Sequence, residues 1–228
     1  MSKFNMKFLV GGAIAGALSL GATQAAFATA EIGITDGVHT IFIADGSAMD
    51  TCSAVGVVCF NGTVGGWTVN VITGISKPNL GSATAPEMDL NFVDFYSGSG
   101  GPNHIELGFS DNNFSATGTV SMTSEIGGTI PAGWTVSDMD LFDPGNGLFT
   151  NGGFLCGNAF STSPYSGSCS ASFKPGSAYS LTQIVDITAS GVGTASGDHN
   201  THVPEPATLA LLGIGLAGLG FALRRKQS

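Results

Sequence analysis

Three aspartates, Asp138, Asp140 and Asp143, lie within six residues of one another, and the turn sequence 143–147 follows them directly. Calcium binds through several oxygen ligands, which closely spaced carboxylates and backbone carbonyls on β-sandwich loops can supply. The EF-hand spacing, with its central glycine and terminal glutamate, is not met. The three side chains are therefore a candidate calcium site, although the pattern favours the alternative that they are solvated acidic turns.

The four histidines give little support for catalysis or for a transition-metal site. His199 and His202 share a short polar segment, and two ligands in a flexible linker would bind a metal weakly, so a solvated spacer is favoured. His39 and His104 have the pattern of outward positions on strands or turns. No Gly-x-Ser-x-Gly nucleophile elbow occurs. The sequence predicts no catalytic residue and no enzyme, with a secreted hydrolase as a remaining alternative.

Four cysteines, which allow three pairings, lie in the central part of the chain. Proximity in sequence favours Cys52 with Cys59 and Cys156 with Cys169. The Cys-x-x-Cys spacing that is common in metal sites is absent, and disulfides form in oxidising compartments outside the cytosol. We therefore predict two disulfides, each closing a short loop.

The elements that must position these residues are strands. Apolar and polar residues alternate in short runs, which is typical of half-buried strands. Residues that favour turns separate the runs, and no sustained helical period occurs in the middle of the chain. The sequence predicts an all-β fold, a single antiparallel β-sandwich of the jelly-roll type. The clearest runs are 38–44, 67–71, 88–92, 105–109, 120–123, 134–136 and 181–189.

Aromatic residues could stack on sugar rings if some of them were exposed. At alternating strand positions they are more often part of the core, and we expect this for most of them. Tyr96 and Tyr165 stand beside loops rich in Gly, Ser and Pro and are the best candidates for exposure. A carbohydrate-binding or calcium-stabilised β-sandwich module is therefore an alternative function. The residues concerned are Trp67, Phe92, Phe95, Tyr96, Trp134 and Tyr165.

The charge of the chain excludes one class of partner. The 228 residues include 7 Lys and Arg against 16 Asp and Glu, for a net charge of -9. Between residues 29 and 203 the only basic residues are Lys77 and Lys174. Binding to phosphates needs clustered basic side chains, so nucleic acid is not an expected partner.

Both ends of the chain have the pattern of targeting segments. Lys3 and Lys7 precede an uncharged stretch at 8–22, and Ala26-Phe27-Ala28 has the small-x-small pattern of a signal-peptidase site. We predict a signal peptide over residues 1–28. The β-sandwich ectodomain then covers residues 29–197, and a polar linker covers residues 198–203.

The C-terminal segment, residues 204–228, has three parts in a fixed order. Pro204, Glu205 and Pro206 come first, an apolar stretch over 207–223 follows, and a basic cluster ends it at Arg224, Arg225 and Lys226. As a helix the apolar stretch would span about 26 Å at 1.5 Å per residue, close to the hydrocarbon thickness of a bilayer. The basic cluster would remain on the cytoplasmic side, which leaves the β-domain outside.

This ordered triplet resembles the PEP-CTERM sorting signal of Gram-negative bacteria. The resemblance implies that an exosortase, an integral-membrane cysteine protease, reads the signal. It also implies an association with bacteria that produce exopolysaccharide and form biofilms. The expected route is a signal-peptidase cut, a single-pass intermediate in the inner membrane, and then the cell surface or the extracellular space.

The middle of the chain is similar to a recurrent group of PEP-CTERM ectodomains. The similarity lies in Trp67 to Val71, Gly74, Lys77 and Pro78, and in the strands around Asp89 and Phe109. That group has no assigned activity, so the similarity implies a fold and a location without any site. The sequence thus predicts a surface or matrix protein with a structural or adhesive role. No cofactor is predicted apart from the candidate calcium ion.

Overall fold

Alternating apolar and polar residues form strands throughout the part of the chain that the computed structural model describes, residues 30–99, 101–150, 152–176 and 178–204. The predicted signal peptide and the predicted membrane helix at 207–223 lie outside these residues. Within the described ranges no helix has the length and apolarity needed to cross a membrane. Thirteen strands account for the regular structure of this part of the chain.

The strands follow one another with short connections. They are β1 (Glu31–Thr35), β2 (Thr40–Ala44), β3 (Val57–Val64), β4 (Trp67–Ile75), β5 (Glu87–Tyr96), β6 (His104–Phe114), β7 (Val120–Thr129), β8 (Thr135–Asp143), β9 (Gly153–Cys156), β10 (Ala159–Phe160), β11 (Tyr165–Phe173), β12 (Tyr179–Thr188) and β13 (Gly193–His202).

The strands form two antiparallel sheets, which confirms the predicted all-β sandwich. The seven-stranded sheet has the order β10-β8-β12-β6-β1-β2, with β9 also pairing β8, and the six-stranded sheet has the order β11-β7-β13-β5-β4-β3. The pairs β8·β10, β7·β11, β6·β12 and β5·β13 are nested in sequence and alternate between the sheets. This nesting is consistent with the predicted jelly-roll winding.

The core lies between the sheets and takes every second residue of the long strands. On β5, Met88, Leu90 and Phe92 face inward, whereas Asp89 and Asn91 face outward, as the period of two predicts. Trp67 and Trp134 are fully buried and meet edge to face, with their ring centroids 5.6 Å apart. The two tyrosines that the sequence analysis expects at the surface, Tyr96 and Tyr165, are buried to 6% and 4% exposure.

A glycine on β4 lets the two sheets approach closely. Gly74 faces the core, and a β-carbon built on it would lie 2.3 Å from Cδ2 of Phe109 in the opposite sheet. Phe109 is itself fully buried. The ring of Phe109 therefore occupies the space that any larger residue at position 74 would need.

Both predicted disulfides are confirmed: Cys52 pairs with Cys59, and Cys156 pairs with Cys169. The first closes the loop that leads into β3. The second joins β9 of the seven-stranded sheet to β11 of the six-stranded sheet. It therefore links the two layers of the sandwich and does more than close a hairpin.

A buried ion pair also links distant parts of the chain. Lys77 Nζ lies 2.7 Å from Asp111 Oδ2, and the Ser76 hydroxyl donates to the same carboxylate oxygen at 2.6 Å. The ammonium group also lies 4.0 Å from the centre of the Phe114 ring. Burial lowers the pKa of Lys77, and the charge and hydrogen bond of Asp111 oppose this effect.

The segment predicted as a linker is part of the fold. Residues 193–202 form β13, which pairs with β5 along its whole length and with β7 over 196–202. Beyond the strand, Val203 remains buried and its amide donates to the carbonyl of Pro86, at 2.8 Å. The prediction of a flexible linker at 198–203 is therefore wrong, and the folded domain continues to Val203.

Candidate functional site

Strand β8 carries two of the predicted acidic residues into the core. Val136, Asp138 and Asp140 fall at alternating positions, so the inward face set by Val136 also places both carboxylates between the sheets. Asp138 and Asp140 are 2% and 1% exposed. Carboxylates this deeply buried need charge or hydrogen-bond partners, since transfer from water is costly.

The opposite sheet supplies those partners from β7 and β13. His199 and Thr201 lie on β13 at the inward positions that Val203 continues, and both are buried. Ser124 lies between Met122 and Ile126 in the inward series of β7. In the sheet Ser124 and Thr201 are directly paired, so the three polar side chains form one patch facing β8.

Three oxygen atoms surround a single nitrogen of the histidine. Nε2 of His199 lies 2.9 Å from Ser124 Oγ, 3.2 Å from Asp140 Oδ2 and 3.9 Å from Asp138 Oδ2. The two carboxylate oxygens and Nε2 all lie within 4.8 Å of one another. We refer to Ser124, Asp138, Asp140 and His199 as the buried polar cluster.

A second layer of hydrogen bonds orients the two carboxylates. The Thr201 hydroxyl donates to Asp140 Oδ1 at 2.5 Å. Asn158 donates from its backbone amide to Asp138 Oδ1 and from its side-chain amide to Asp138 Oδ2, at 3.2 Å each. The Gln183 amide in turn donates to Thr201 Oγ1 at 2.9 Å. The Oδ2 atoms of both aspartates are thereby directed towards His199.

Burial and charge act against each other on the titrating groups. Burial alone lowers the pKa of His199, but the charge and hydrogen bond of Asp140, together with the charges of Asp138 and Asp198, raise it overall. Burial raises the pKa of Asp138, while the neighbouring imidazole and the Asn158 hydrogen bonds oppose the rise. The cluster thus favours a positive charge at Nε2 of His199.

The arrangement is not that of a nucleophilic triad. Such a triad needs the serine on one imidazole nitrogen and the carboxylate on the other, so that a proton can pass through the ring. Here Ser124 and Asp140 both face Nε2, and Nδ1 of His199 is buried without a hydrogen-bond partner. The imidazole is also fully shielded from solvent. The geometry suits the holding of a proton or a cation better than the activation of Ser124.

The structure corrects the predicted grouping of the three aspartates. Asp143 lies at the end of β8, and its carboxylate accepts hydrogen bonds from the backbone amides of Gly145 and Gly147 and from the Thr150 hydroxyl. It therefore closes its own turn, and the hydrogen bonds lower its pKa against the opposing effect of burial. Asp138 and Asp140 share a site with His199, and Asp143 does not.

The other histidines lie apart from the buried polar cluster. His202 is exposed, because three residues along a strand place it on the opposite face from His199. His39 is largely exposed beside Asp36. His104 lies on the outer face of the seven-stranded sheet, with Nε2 2.6 Å from Asp186 Oδ2.

Glu106 lies beside this outer pair and titrates unusually. It is the direct cross-strand neighbour of Asp186. Burial, reinforced by the charge of Asp186 and opposed by that of His104, raises the pKa of Glu106 to about 7. His104, Glu106 and Asp186 form a half-buried group, which we call the outer trio.

A shallow groove crosses the outer face of the six-stranded sheet. Its lining includes Glu125, Ser166, Ser168, Asp198 and Asn200 from β7, β11 and β13. Beside it, burial and the neighbouring carboxylate of Asp198 raise the pKa of Asp89 to about 7. The groove therefore presents hydrogen-bonding side chains without an aromatic residue in its lining.

One signal for His199 was present in the sequence. Counting back by two from the apolar Val203 gives Thr201 and His199, so strand parity places both with the core face. The polar composition of 198–202 concealed that this segment is a strand. The residues that sequence reasoning missed are Ser124, His199, Thr201 and Gln183.

Similarities to solved structures are weak. TmCBM61, solved in complex with β-1,4-galactotriose, is 9% identical with a TM-score of 0.33, over 61% of this chain and 88% of that one. The K1 cleaved adhesin domain of Lys-gingipain from Porphyromonas gingivalis W83 is 9% identical with a TM-score of 0.37, over 70% and 96%. Neither similarity extends to a function. No curated protein sequence matches the chain.

The C-terminal segment gives the identity. A family model for the PEP-CTERM protein-sorting motif matches residues 202–226. This range contains Pro204, Glu205 and Pro206 and extends to Arg224, Arg225 and Lys226, and all of these except Pro204 lie outside the described residues. The match begins at His202, the last residue of β13. The chain is therefore a protein with a PEP-CTERM sorting signal, which marks it for export and surface localisation in a Gram-negative bacterium.

Proposed function

We propose that this protein is a non-enzymatic component of the cell surface or extracellular matrix, with a structural or adhesive role. The observation that carries the proposal is the direct junction between the folded domain and the sorting motif. Val203 is buried and hydrogen-bonded, and Pro204 follows it immediately at the surface. Sorting therefore delivers the entire β-sandwich as one unit, held at the end of its last strand.

Processing by an exosortase would take place very close to this junction. Pro204 and Pro206 cannot donate backbone hydrogen bonds, and they bias Val203 and Glu205 away from the helical region. The segment is therefore extended where it meets the membrane surface, which is the form a membrane-embedded protease can bind. Glu205 is the proposed recognition residue, and residues beyond Pro206 are removed from an inner-membrane intermediate.

The absence of enzymatic activity is part of the proposal. Among the described residues, the buried polar cluster combines a serine, a histidine and two aspartates. Both Ser124 and Asp140 face the same imidazole nitrogen, and the cluster has no path for a substrate from solvent. This supports a structural role for the cluster. Exopolysaccharide of the surrounding matrix is the proposed partner of the domain surface.

Sorting can be tested in a Gram-negative host that has an exosortase. We expect the surface form to lack the residues after about Pro206, as measured by the intact mass of surface material. Glu205→Ala should leave full-length protein in the inner membrane, because the recognition residue is lost. Gln227→Ala, which lies beyond the matched motif, is the control and should be processed normally. A surface form that retains Arg224, Arg225 and Lys226 would contradict the proposal and would indicate a permanent anchor.

A second candidate function is carbohydrate binding at the groove of the six-stranded sheet. The observation that favours it is the row of polar side chains there, since hydroxyl-rich ligands need convergent donors and acceptors. A glycan array on the surface form, with and without calcium, tests it. Asn200→Ala should abolish any binding, whereas Ser121→Ala, on β7 near an exposed end, should not. Equal binding by both variants would place the ligand elsewhere.

A further inference from the structure

We propose that the buried polar cluster binds one divalent cation of the zinc class, with Asp138 Oδ2, Asp140 Oδ2 and His199 Nε2 as ligands and Ser124 Oγ at the fourth position. The inference concerns the interior of the domain and does not depend on the proposed sorting or adhesive role. It differs from the calcium site expected from the sequence in its ligands, in its position and in its metal.

The first argument is geometric. A tetrahedral site with metal–ligand bonds of about 2.0–2.2 Å places its ligand atoms about 3.3–3.6 Å apart. The three oxygens around Nε2 of His199 lie at 2.9, 3.2 and 3.9 Å, on both sides of that value. A hydrogen bond explains one such approach to a nitrogen that carries one proton, and it leaves the other two oxygens facing the same atom.

The second argument is the balance of charge. Two ionised carboxylates opposed by one imidazolium leave a net charge of about -1 in a region shielded from water, which is costly. Two carboxylates, one neutral imidazole and one divalent cation sum to zero. The side chains of Asp138 and His199 are both 0% exposed and that of Asp140 is 2% exposed, so solvent does not relieve the imbalance.

The third argument is the orientation of the ligands. Ligating carboxylates in metal sites are usually held by hydrogen bonds from a surrounding shell. Thr201 holds Asp140 through Oδ1, and Asn158 holds Asp138, so that each Oδ2 faces the proposed ion. One element of that shell is missing, because Nδ1 of His199 has no acceptor. Loss of such a partner weakens metal affinity by about 10–100-fold, so we expect a site weaker than a typical structural zinc site.

The donor set selects the metal. Calcium takes about 6–8 oxygen ligands at 2.3–2.6 Å, more than this enclosed cluster offers. One imidazole with carboxylates suits zinc and its neighbours in the first transition row. Because all four residues are buried, the ion must enter while the domain folds. It should then exchange slowly with the solvent.

The test uses the full chain, unfolded in denaturant with a chelator and refolded with Zn²⁺, with Ca²⁺ or with the chelator alone. We expect about one zinc per chain by elemental mass spectrometry after dialysis, a melting temperature raised by zinc and not by calcium, and the visible spectrum of tetrahedral Co²⁺ when cobalt replaces zinc. A refolded chain that retains no metal and melts at the same temperature with and without zinc would overturn the proposal.

Variants locate the ion. Asp140→Asn preserves shape and removes a charged ligand, so it should reduce bound zinc at least about tenfold. Asp143→Asn is the matched control, since this carboxylate closes a turn outside the cluster, and it should bind zinc as the parent chain does. Should Asp140→Asn fail to fold, the Co²⁺ spectrum of the parent chain still decides.

The outer trio provides the competing explanation. Its ligand atoms also lie within 4.8 Å of one another, but its side chains are partly exposed. Zinc that persists in Asp140→Asn and disappears in His104→Ala would assign the ion to the outer trio and overturn the proposal. Zinc lost in Asp140→Asn and retained in His104→Ala would support it.

Discussion

The contact between Gly74 and Phe109 gives a sharp prediction about packing. In Gly74→Ala the new β-carbon would lie 2.3 Å from Cδ2 and 2.4 Å from Cε2 of the Phe109 ring. Carbon atoms in contact are about 3.5–4.0 Å apart, so the ring or the strand must move by more than about 1 Å. Interiors are packed too densely to absorb such a shift without strain.

The surroundings of Phe109 set the magnitude. The residue is fully buried on β6, between its cross-strand neighbours Ile32 and Gln183. The Gln183 amide donates to His199 O at 2.7 Å and to Thr201 Oγ1 at 2.9 Å, so this neighbour is fixed. Overpacking costs about 1–3 kcal/mol, and the rigid surroundings favour the upper half of that range. For a domain of this size the melting temperature should fall by about 5–10 °C.

Thermal and urea unfolding of the parent and the variant measure the effect. Gly191→Ala is the control, because a β-carbon there meets nothing within 4 Å, and its stability should stay within about 0.5 kcal/mol of the parent. Phe109→Leu should relieve the clash, so the double variant should be less destabilised than the sum of the two single changes. A Gly74→Ala protein as stable as Gly191→Ala, or strict additivity in the double variant, would refute the reasoning.

Three further predictions concern the linkages and the titrating groups. Replacing Cys156 and Cys169 by serine should cost about 2–3 kcal/mol in urea unfolding, because the bridge closes a loop of 13 residues and joins the sheets; an unchanged midpoint would contradict this. Lys77→Met should cost about 3–5 kcal/mol by leaving the Asp111 carboxylate buried without its cation, and adding Asp111→Leu should recover part of the loss; a double variant less stable than Lys77→Met would count against the buried pair. Because the pKa of Glu106 rises from 4.5 to about 7 on folding, the folded state binds the proton more tightly, and stability should fall as pH rises through that window. Glu106→Gln should remove this dependence and stabilise the protein by about 1 kcal/mol at pH 8, and a stability profile identical to that of the parent would exclude the assignment.

Much of the fold could be predicted from local patterns. Runs such as those around Met88 and Leu107 alternate strictly, and they proved to be β5 and β6. The two disulfides followed from sequence proximity, which was sufficient because both bridges close short loops. These features depend on residues that are neighbours in the chain, and a single sequence contains that information.

The features that escaped prediction depend on polar residues at inward positions. The segment 198–202 is polar on both faces, so its alternation cannot be seen in hydropathy, and only pairing with β5 and β7 makes it a strand. Asp94 is similarly buried on β5, where burial raises its pKa well above the ordinary value. Hydropathy assigns such residues to the surface, whereas the register of neighbouring strands places them in the core.

The candidate site was predicted in part for the same reason. Asp138 and Asp140 have even spacing and share a face, which strand parity alone could indicate. Asp143 has odd spacing from Asp140 and lies at a turn, so counting carboxylates in a window grouped it incorrectly. His199 comes from a strand 59 residues further along the chain, and no local pattern reports that distance.

The position of β13 determines how the domain bears mechanical load. When the protein is held by its C-terminal end, tension reaches the domain at Val203 and acts along the axis of β13. This strand lies inside the six-stranded sheet, between β5 and β7, and not at its margin. Its hydrogen bonds on both sides are therefore loaded together in shear, whereas a marginal strand would peel away one bond at a time. A surface protein tethered at this point resists extraction by flow through the same strand that completes its core.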